Sequence, residues 1–546
     1  LRGGRLCFSS LREEQRPTIR GRIGLARHVP SLTLSHEDGE RRSNEAEARP
    51  KGKQMTVKLS SATLANLPAK VAGPKYDRAK LKAGIVHFGV GNFHRSHQAV
   101  YLDDLFNAGI GHDWALVGAG VFDGEKIGRG KLEEQDWLTT VVEQDDGHMS
   151  ARVTGAMIDF LMPGDAAGII ERLADPAIKI VSLTITEGGY FIDPASGVFN
   201  PAHPDIVADA QPGATPKTVF GIILAGLMRR RDEGTVPFTV MSCDNIPHNG
   251  HVTSDGVIGL ARLIDEDLAR WVSDHVAFPN GMVDRITPAT TDRERGILAK
   301  DFGVEDNWPV FCEPFRQWVL EDHFTDGRPP LEKVGVQFVK DVAPYELMKI
   351  RILNGGHATI AYPAGLMDIH FVHEAMQEPL VRGFLDKLEH DEIIPTVPPV
   401  PDTVLEDYYQ LIEKRFSNPK IGDTIRRLCL DGSNRQPKFI IPTIADRLKA
   451  GKGVAGLALE SALWCRYCFG TSDSGAVIEP NDPSWNRLQA TAKAAKDAPA
   501  AWLAMEDIYG DVGRATAFVE AFGHALNVLW ANGARATLTR YIAGKL

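Results

Sequence analysis

From Leu81 onward, short apolar runs alternate with stretches whose apolar residues recur every three to four positions, which is the alternation of strand and helix. The runs Gly84–Phe88, Trp114–Val121, Trp137–Glu143, Val153–Leu161, Lys179–Thr186 and Phe238–Cys243 predict strands. Arg95–Asn107, a stretch ending near Ala174, and Lys217–Arg231 carry helical spacing between them. Strands joined by helices run parallel, so the expected fold class is α/β, with a Rossmann-like, doubly wound N-terminal domain. After Val339 the strand signals fade. Glu374–His390, Val404–Lys414, Ser484–Lys496 and Ala515–Ala531 predict a mostly helical C-terminal domain, with a stiff proline-rich connection at Pro395–Pro401. The expected boundaries are 55–338 and 339–546.

Composition adds exclusions. The 546 residues exceed what one ordinary core organises, in keeping with two domains. A net charge of −10 gives no reason to expect nucleic acid or an anionic membrane as partner. No apolar run approaches the roughly 20 residues that span a bilayer. Cys465 and Cys468 form a CxxC in an apolar stretch, but no second CxxC completes a zinc site, so core packing on a helix is expected. Six cysteines in a chain of this length fit a reducing, cytoplasmic compartment. Nothing in the sequence fixes the oligomeric state, and a monomer is compatible with it.

Residues 1–54 differ from the rest: Arg-rich, without apolar periodicity, and with no methionine before Met55. Glu13, Glu14, Glu37, Asp38, Glu40, Glu45 and Glu47 argue against a mitochondrial presequence. The expectation is a disordered or non-native N-terminal extension, Met55 being the natural start.

The first strand runs into Gly89-Val90-Gly91-Asn92-Phe93. In a dinucleotide fold the first glycine makes the tight turn and the second lets the backbone approach the pyrophosphate. The third glycine would fall at His94 and is missing, so the fingerprint is incomplete. An acid beyond the second strand should hold the ribose hydroxyls, and Asp123 and Glu125 both lie there. Either one would repel a 2′-phosphate, which favours NAD over NADP.

Two later strands end in polar groups: Glu187-Gly-Gly-Tyr190 after the fifth run, and Asp244-Asn245 after the sixth. Ligands of doubly wound sheets lie beyond such ends. Loop acid and turn former are the bland readings of Glu187 and Asn245. Asp284 and Arg285 stand together in Phe278–Pro288 as a candidate ion pair. Finally, Pro344–Leu366 predicts one helix, with Pro344 and Glu346 suited to its first turn. At about 100° per residue, Asn354 lies near 140° and His357 near 80° from Lys349, within one broad face. A buried neutral lysine is a competent general base, and asparagine amides can stabilise an alkoxide. A surface lysine, a capping asparagine and a core histidine fit the same spacing. Gly355 and Gly356, costly in a helix interior, suggest a cofactor or strand packed on that backbone.

These residues resemble the long-chain mannitol dehydrogenase family. The resemblance rests on GVGNFHRSHQAVY (89–101), IVSLTITEGGY (180–190), FTVMSCDNIPHNG (238–250), FPNGMVDRITP (278–288), EPFRQWVLED (313–322), the Lys349–Asn354–His357 helix and RFSNPKIGDTIRRLCLDGS (415–433). It covers nearly everything after Met55. It implies metal-independent, NAD-dependent interconversion of D-mannitol and D-fructose. Lys349 would be the general base, Asn245 and Asn354 the oxyanion-type site, and Glu187 would act near the proton exit. His357, Asp284 and Arg427 would contact the polyol, as would Arg435, which stands where the family carries lysine; Asn92 stands where a glycine is common. Hexuronate reductases and arabinitol 4-dehydrogenase are rivals within the family, and a non-catalytic NAD-binding protein is a rival outside it.

Overall fold

The computed structural model describes residues 56–193 and 197–546; the expectations for residues 1–54, including Cys7, and for Met55 fall outside them. Five parallel strands form the central sheet: β1 (Ala83–Phe88), β2 (Ala115–Ala119), β3 (Met157–Phe160), β4 (Ile180–Leu183) and β5 (Thr239–Ser242). Their order is β3-β2-β1-β4-β5, the doubly wound arrangement. Alternate residues serve opposite layers. Val86, Val117, Val181 and Val240 pack into one core, and Ile85, Leu116, Ile180 and Met241 into the other. Strands buried on both faces must be apolar throughout, which is why they read as continuous runs. The order reverses between β1 and β4. Phe88 registers with both Ala119 and Leu183, so three strand ends meet at one level beneath the glycine loop.

Several expected elements are divided. The helix over Arg95–Asn107 is two, Asn92–Ser96 and Gln98–Asn107, broken where His97 leaves helical geometry. The run Val153–Leu161 is not one strand: Met149–Thr154 belongs to a separate mixed sheet and β3 to the central one. The break falls at Gly155, whose carbonyl accepts from Arg78 and whose N–H donates to Asp103. Glu374–His390 likewise breaks between Val372–Gln377 and Pro379–Leu388, as a proline opening the second helix requires. Three smaller sheets among the described residues were not foreseen as sheets; the smallest pairs Val57–Lys58 with Val304–Glu305, and the other two are larger. One pairs β6 (Gly281–Asp284) with Gln317–Glu321 and Gln337–Val339. The other joins Val310–Cys312, Thr139–Gln144, Met149–Thr154 and Val71–Ala72.

From Ala343 the described residues are almost wholly helical, around one large core. Ala455–Cys468 is buried along its whole length except its first residue, and both CxxC cysteines pack inside it. Thr516–Ile542 is longer than expected and bends at Gly533, where φ is +74°. No helix among the described residues is long and apolar enough to cross a membrane.

Candidate active site

A cleft of about 760 Å³ runs from the glycine loop, past the ends of β4, β5 and β6, to the Lys349 helix. That helix is not uniform. Ala343–Met348 is α-helical, Lys349–Asn354 is a π turn, and Gly355–Leu366 is α-helical again. The Gly355 N–H reaches back five residues to the Ile350 carbonyl. In a π turn five residues fill little more than one turn, so Lys349 and Asn354 come closer to one line than the expected 140° separation. The adjacent glycines serve neither cofactor nor strand. A Cβ on Gly356 would come within 3.2 Å of Glu389 Oε1 and 3.4 Å of Phe416, side chains of neighbouring helices.

Lys349 is buried. Its Nζ donates to Asn245 Oδ1 at 2.6 Å and to the Val283 carbonyl at 2.6 Å. Burial lowers its pKa and Arg415 adds to the effect, while Asp284 opposes it. Because Asn245 spends its oxygen on the lysine, its amide N–H groups remain for an oxygen in the cleft. Asn354 Oδ1 is buried without a partner, and so is His357 Nε2, whose ring stacks on Phe416 with centroids 4.2 Å apart. His357 is held neutral, first by burial and then by Arg427, Arg415 and Arg435.

Asp284 and Arg285 are not an ion pair. Neighbours at a strand end point to opposite sides. Asp284 receives both arms of Arg415, at 2.7 and 3.0 Å, and Arg415 also binds Glu313 at 2.7 Å. Burial alone would raise the Asp284 pKa, but Arg415 and then Lys349 outweigh it and hold the carboxylate ionised. Arg285 instead bonds the Ser96 and Glu313 carbonyls and Glu143, a structural arrangement.

At the other end of the cleft, Gly89 has φ +89°, and a Cβ there would lie 2.0 Å from the Thr184 carbonyl. Only glycine fits, and the cradle it leaves suits a close-lying phosphate. Gly91, Asn92 and Phe93 line the cleft, whereas the Val90 side chain is buried in the core below. Asn92 is tied down: its Nδ2 donates to the Pro288 carbonyl and its Oδ1 accepts from Arg95. Beyond β2, the Glu125 carboxylate accepts the Val121 and Phe122 N–H groups at 2.8 Å each and closes its own loop. Asp123 is exposed and pairs with Lys126.

The cleft mouth carries charge. Glu187 pairs with Lys438 at 3.2 Å, Arg427 is bound by Asp423, and Arg435 donates to the Leu428 carbonyl at 3.1 Å. Glu187 sits on a turn in which Thr186, a β-branched residue, holds φ +62°. That strain is maintained by Asp244, which accepts the Ile185 and Thr186 N–H groups at 2.8 and 3.0 Å. Nothing in the local residue pattern signals this clamp. Nor does that pattern reveal a second role for Glu346, read there as a helix-dipole partner. Glu346 is buried at the cleft wall and its pKa is pushed up to about 7, chiefly by burial. Its carboxylate accepts the His248 N–H at 3.3 Å.

Comparison with known proteins agrees along the chain. Residues 83–333 match the model of the mannitol dehydrogenase Rossmann domain, and residues 341–530 that of the mannitol dehydrogenase C-terminal domain. A mannitol 2-dehydrogenase of Cereibacter sphaeroides is 61% identical over 474 residues, 87% of this chain and 99% of that one. A mannitol 2-dehydrogenase of Phaeosphaeria nodorum is 40% identical over 523 residues, 94% of this chain and 91% of that one. Among solved structures, Pseudomonas fluorescens mannitol 2-dehydrogenase, in ternary complex with NAD and D-mannitol, superposes with a TM-score of 0.82. It is 42% identical, and the match covers 89% of this chain and 100% of that one. A substrate-free D-sorbitol dehydrogenase gives a TM-score of 0.80 at 36% identity, covering 88% and 100%. With both halves of the chain matched in order, and with a lysine–asparagine site facing a glycine loop across the cleft, this chain belongs to the mannitol dehydrogenase family.

Proposed function

We propose that this chain interconverts D-mannitol and D-fructose with NAD, residues 55–338 binding the cofactor and 339–546 supplying the Lys349 helix and much of the polyol site. The observation that carries the reading is Lys349 Nζ, buried at 2.6 Å from Asn245 Oδ1 in a cleft that opens onto the Gly89 turn. The names of its relatives support the substrate: mannitol 2-dehydrogenase at 61% identity, and a homologue in complex with NAD and D-mannitol at 42%.

When bound, NAD supplies the hydride acceptor. The chain's own residues manage the proton and the oxygen. Neutral Lys349 takes the substrate hydroxyl proton at Nζ, and its ammonium returns one in the reverse direction. The amide N–H groups of Asn245 and Asn354 donate to the oxygen as it gains negative charge. Glu346, with a pKa near neutrality and on the same wall, receives the proton from the lysine side and passes it toward solvent past the exposed His248 ring, whose Nδ1 lies 3.6 Å from Glu346 Oε2. Glu187 at the mouth offers a second carboxylate near the exit. His357, Asp284, Arg427 and Arg435 hold the remaining hydroxyls. The Gly89–Phe93 loop holds the pyrophosphate, and Asp123, whose carboxylate is free of backbone duties, holds the ribose in preference to Glu125.

The chemistry is metal-independent in this reading, because the proton acceptor is an amine. Among the described residues no three His, Cys, Asp or Glu gather as a ligand set. A cytoplasmic location is consistent with five described cysteines that are all free thiols. The test is NADH oxidation against fructose, fructuronate, tagaturonate and xylulose. Fructose should be the preferred substrate, and a preference for either uronate would replace this reading.

A further inference from the structure

The third glycine of a dinucleotide fingerprint allows close packing of helix on strand. Here His94 occupies that place, buried, and stacks on His87 of β1 with ring centroids 3.5 Å apart and planes 16° from parallel. His87 is also fully buried. Its Nδ1 lies 2.8 Å from Ser182 Oγ and its Nε2 2.9 Å from Thr184 Oγ1. Thr184 Oγ1 in turn donates to the Gly89 carbonyl at 2.6 Å. Ser182 Oγ lies 3.1 Å from the Gln98 amide, which rests against both imidazoles. Burial keeps both rings neutral, His87 near 3 and His94 well below its ordinary value.

Proton counting gives this cluster a direction. The one hydroxyl proton of Thr184 is committed to Gly89, so Thr184 accepts from His87 Nε2–H. A neutral imidazole donates from one nitrogen only, so Nδ1 accepts and Ser182 is its donor. Ser182 then accepts from Gln98, which must turn Nε2 toward it; a half-turn of the amide exchanges its two ends. Gln98 Oε1 then faces His94 and accepts its N–H. This arrangement provides partners for Gln98 Nε2 and one His94 nitrogen, buried atoms that otherwise have none.

We propose that His94, Gln98, Ser182, His87 and Thr184 form a one-directional hydrogen-bond chain ending on the Gly89 carbonyl, and that they are positioning residues for the cofactor loop. The Gly91 N–H is also on that carbonyl at 2.7 Å and His87 Nε2 lies 3.3 Å from it, so both of its lone pairs are occupied, with Thr184 the shorter of the two side-chain contacts. The first turn of the loop is therefore set before NAD arrives. The inference rests on the reading of this loop as the NAD site, but not on the identity of the polyol.

The experiment uses the full chain with Thr184→Val, Thr184→Ser and Ser182→Ala. NADH affinity is measured by fluorescence titration, and amide exchange of residues 89–93 is followed without cofactor. Thr184→Val and Ser182→Ala should each raise the NADH Kd roughly two- to tenfold, the scale of one hydrogen bond. Both should also speed exchange in the loop, while exchange in Ala455–Cys468 stays unchanged, which marks an intact fold. Thr184→Ser keeps the hydroxyl and should stay within about twofold of the parent. Parental Kd and loop exchange in either folded variant lacking a hydroxyl would overturn the proposal, as would Thr184→Ser matching Thr184→Val. None of these readouts needs a polyol, so they stand apart from a failure of the substrate assignment.

Discussion

Lys349 Nζ and Asn245 Oδ1 meet at 2.6 Å across 104 residues of sequence, joining the helical half of the chain to the end of β5. Neither side chain is free to swing. Lys349 is also held by the Val283 carbonyl at 2.6 Å, so its remaining proton position faces the cleft. Removing the proton acceptor by Lys349→Ala should lower turnover by on the order of 10²–10⁴ at neutral pH. Burial holds the lysine below its ordinary 10.5, and oxidation needs the neutral amine. Mannitol oxidation should therefore rise with pH and level off below 10.5, while fructose reduction falls through the same value. Steady-state pH profiles in both directions check this; a Lys349→Ala enzyme with full activity would remove the mechanism.

Asn245 is the uncharged partner of Lys349 Nζ, whose pKa is lowered by burial and by Arg415. Replacing it by aspartate places a negative charge beside Nζ and stabilises the ammonium. Asn245→Asp should shift the levelling-off of mannitol oxidation to higher pH and slow oxidation at neutrality. Asn245→Ala should instead lower kcat by on the order of 10²–10³, by removing a donor to the developing alkoxide. An Asn245→Asp profile that coincides with the parent's would sink the assignment.

The parts of this site that lie close in sequence were legible there. The glycine turn follows its strand directly, and Lys349, Asn354 and His357 share one helix, so periodicity placed them together. The periodicity was nevertheless wrong in detail, because helical wheels assume uniform winding and a π turn lies at Lys349–Asn354. What stayed hidden was pairing at long range. The partner of Asp284 is Arg415, 131 residues away, rather than the adjacent Arg285. Lys438 meets Glu187 across 251 residues. Strand order is hidden for the same reason: apolar runs reveal strands buried on both faces but not their neighbours. The smaller sheets were missed because several of their strands are short, Val310–Cys312 and Gln337–Val339 being three residues each, and because longer members such as Thr139–Gln144 pair with distant parts of the chain.

Asp123 and Glu125 were equivalent in sequence, and their surroundings now separate them. Glu125 is committed to two backbone N–H groups, whereas Asp123 is exposed at the end of β2. A carboxylate that repels a 2′-phosphate sets the preference for NAD. Asp123→Ser should raise kcat/KM for NADP relative to NAD by roughly tenfold or more, and Glu125→Gln should change that ratio by less than about threefold. Cofactor kinetics at fixed mannitol decide it; the opposite ranking would hand the ribose to Glu125.

Arg415 is 3% exposed and stands between Asp284 and Glu313, themselves 7% and 3% exposed. Such an arginine holds two carboxylates that burial would otherwise protonate. Arg415→Met should destabilise the fold by about 3–5 kcal/mol at neutral pH, mainly through the charges left unpaired. The sign with pH follows from linkage. Burial already raises Glu313 above its unfolded 4.5 in the parent; without the arginine Glu313 rises further, and burial also carries Asp284 above its unfolded 3.8. The folded variant then binds more protons than the unfolded chain, so its stability grows as pH falls toward about 5. In the parent, Asp284 lies below 3.8, and its contribution disappears only as pH falls through that lower value. Urea unfolding of both proteins at pH 7.5 and pH 5 measures this. The deficit of the variant should be smaller at pH 5, and an equal deficit at both would mean that lost packing, rather than unpaired charge, is what Arg415 prevents.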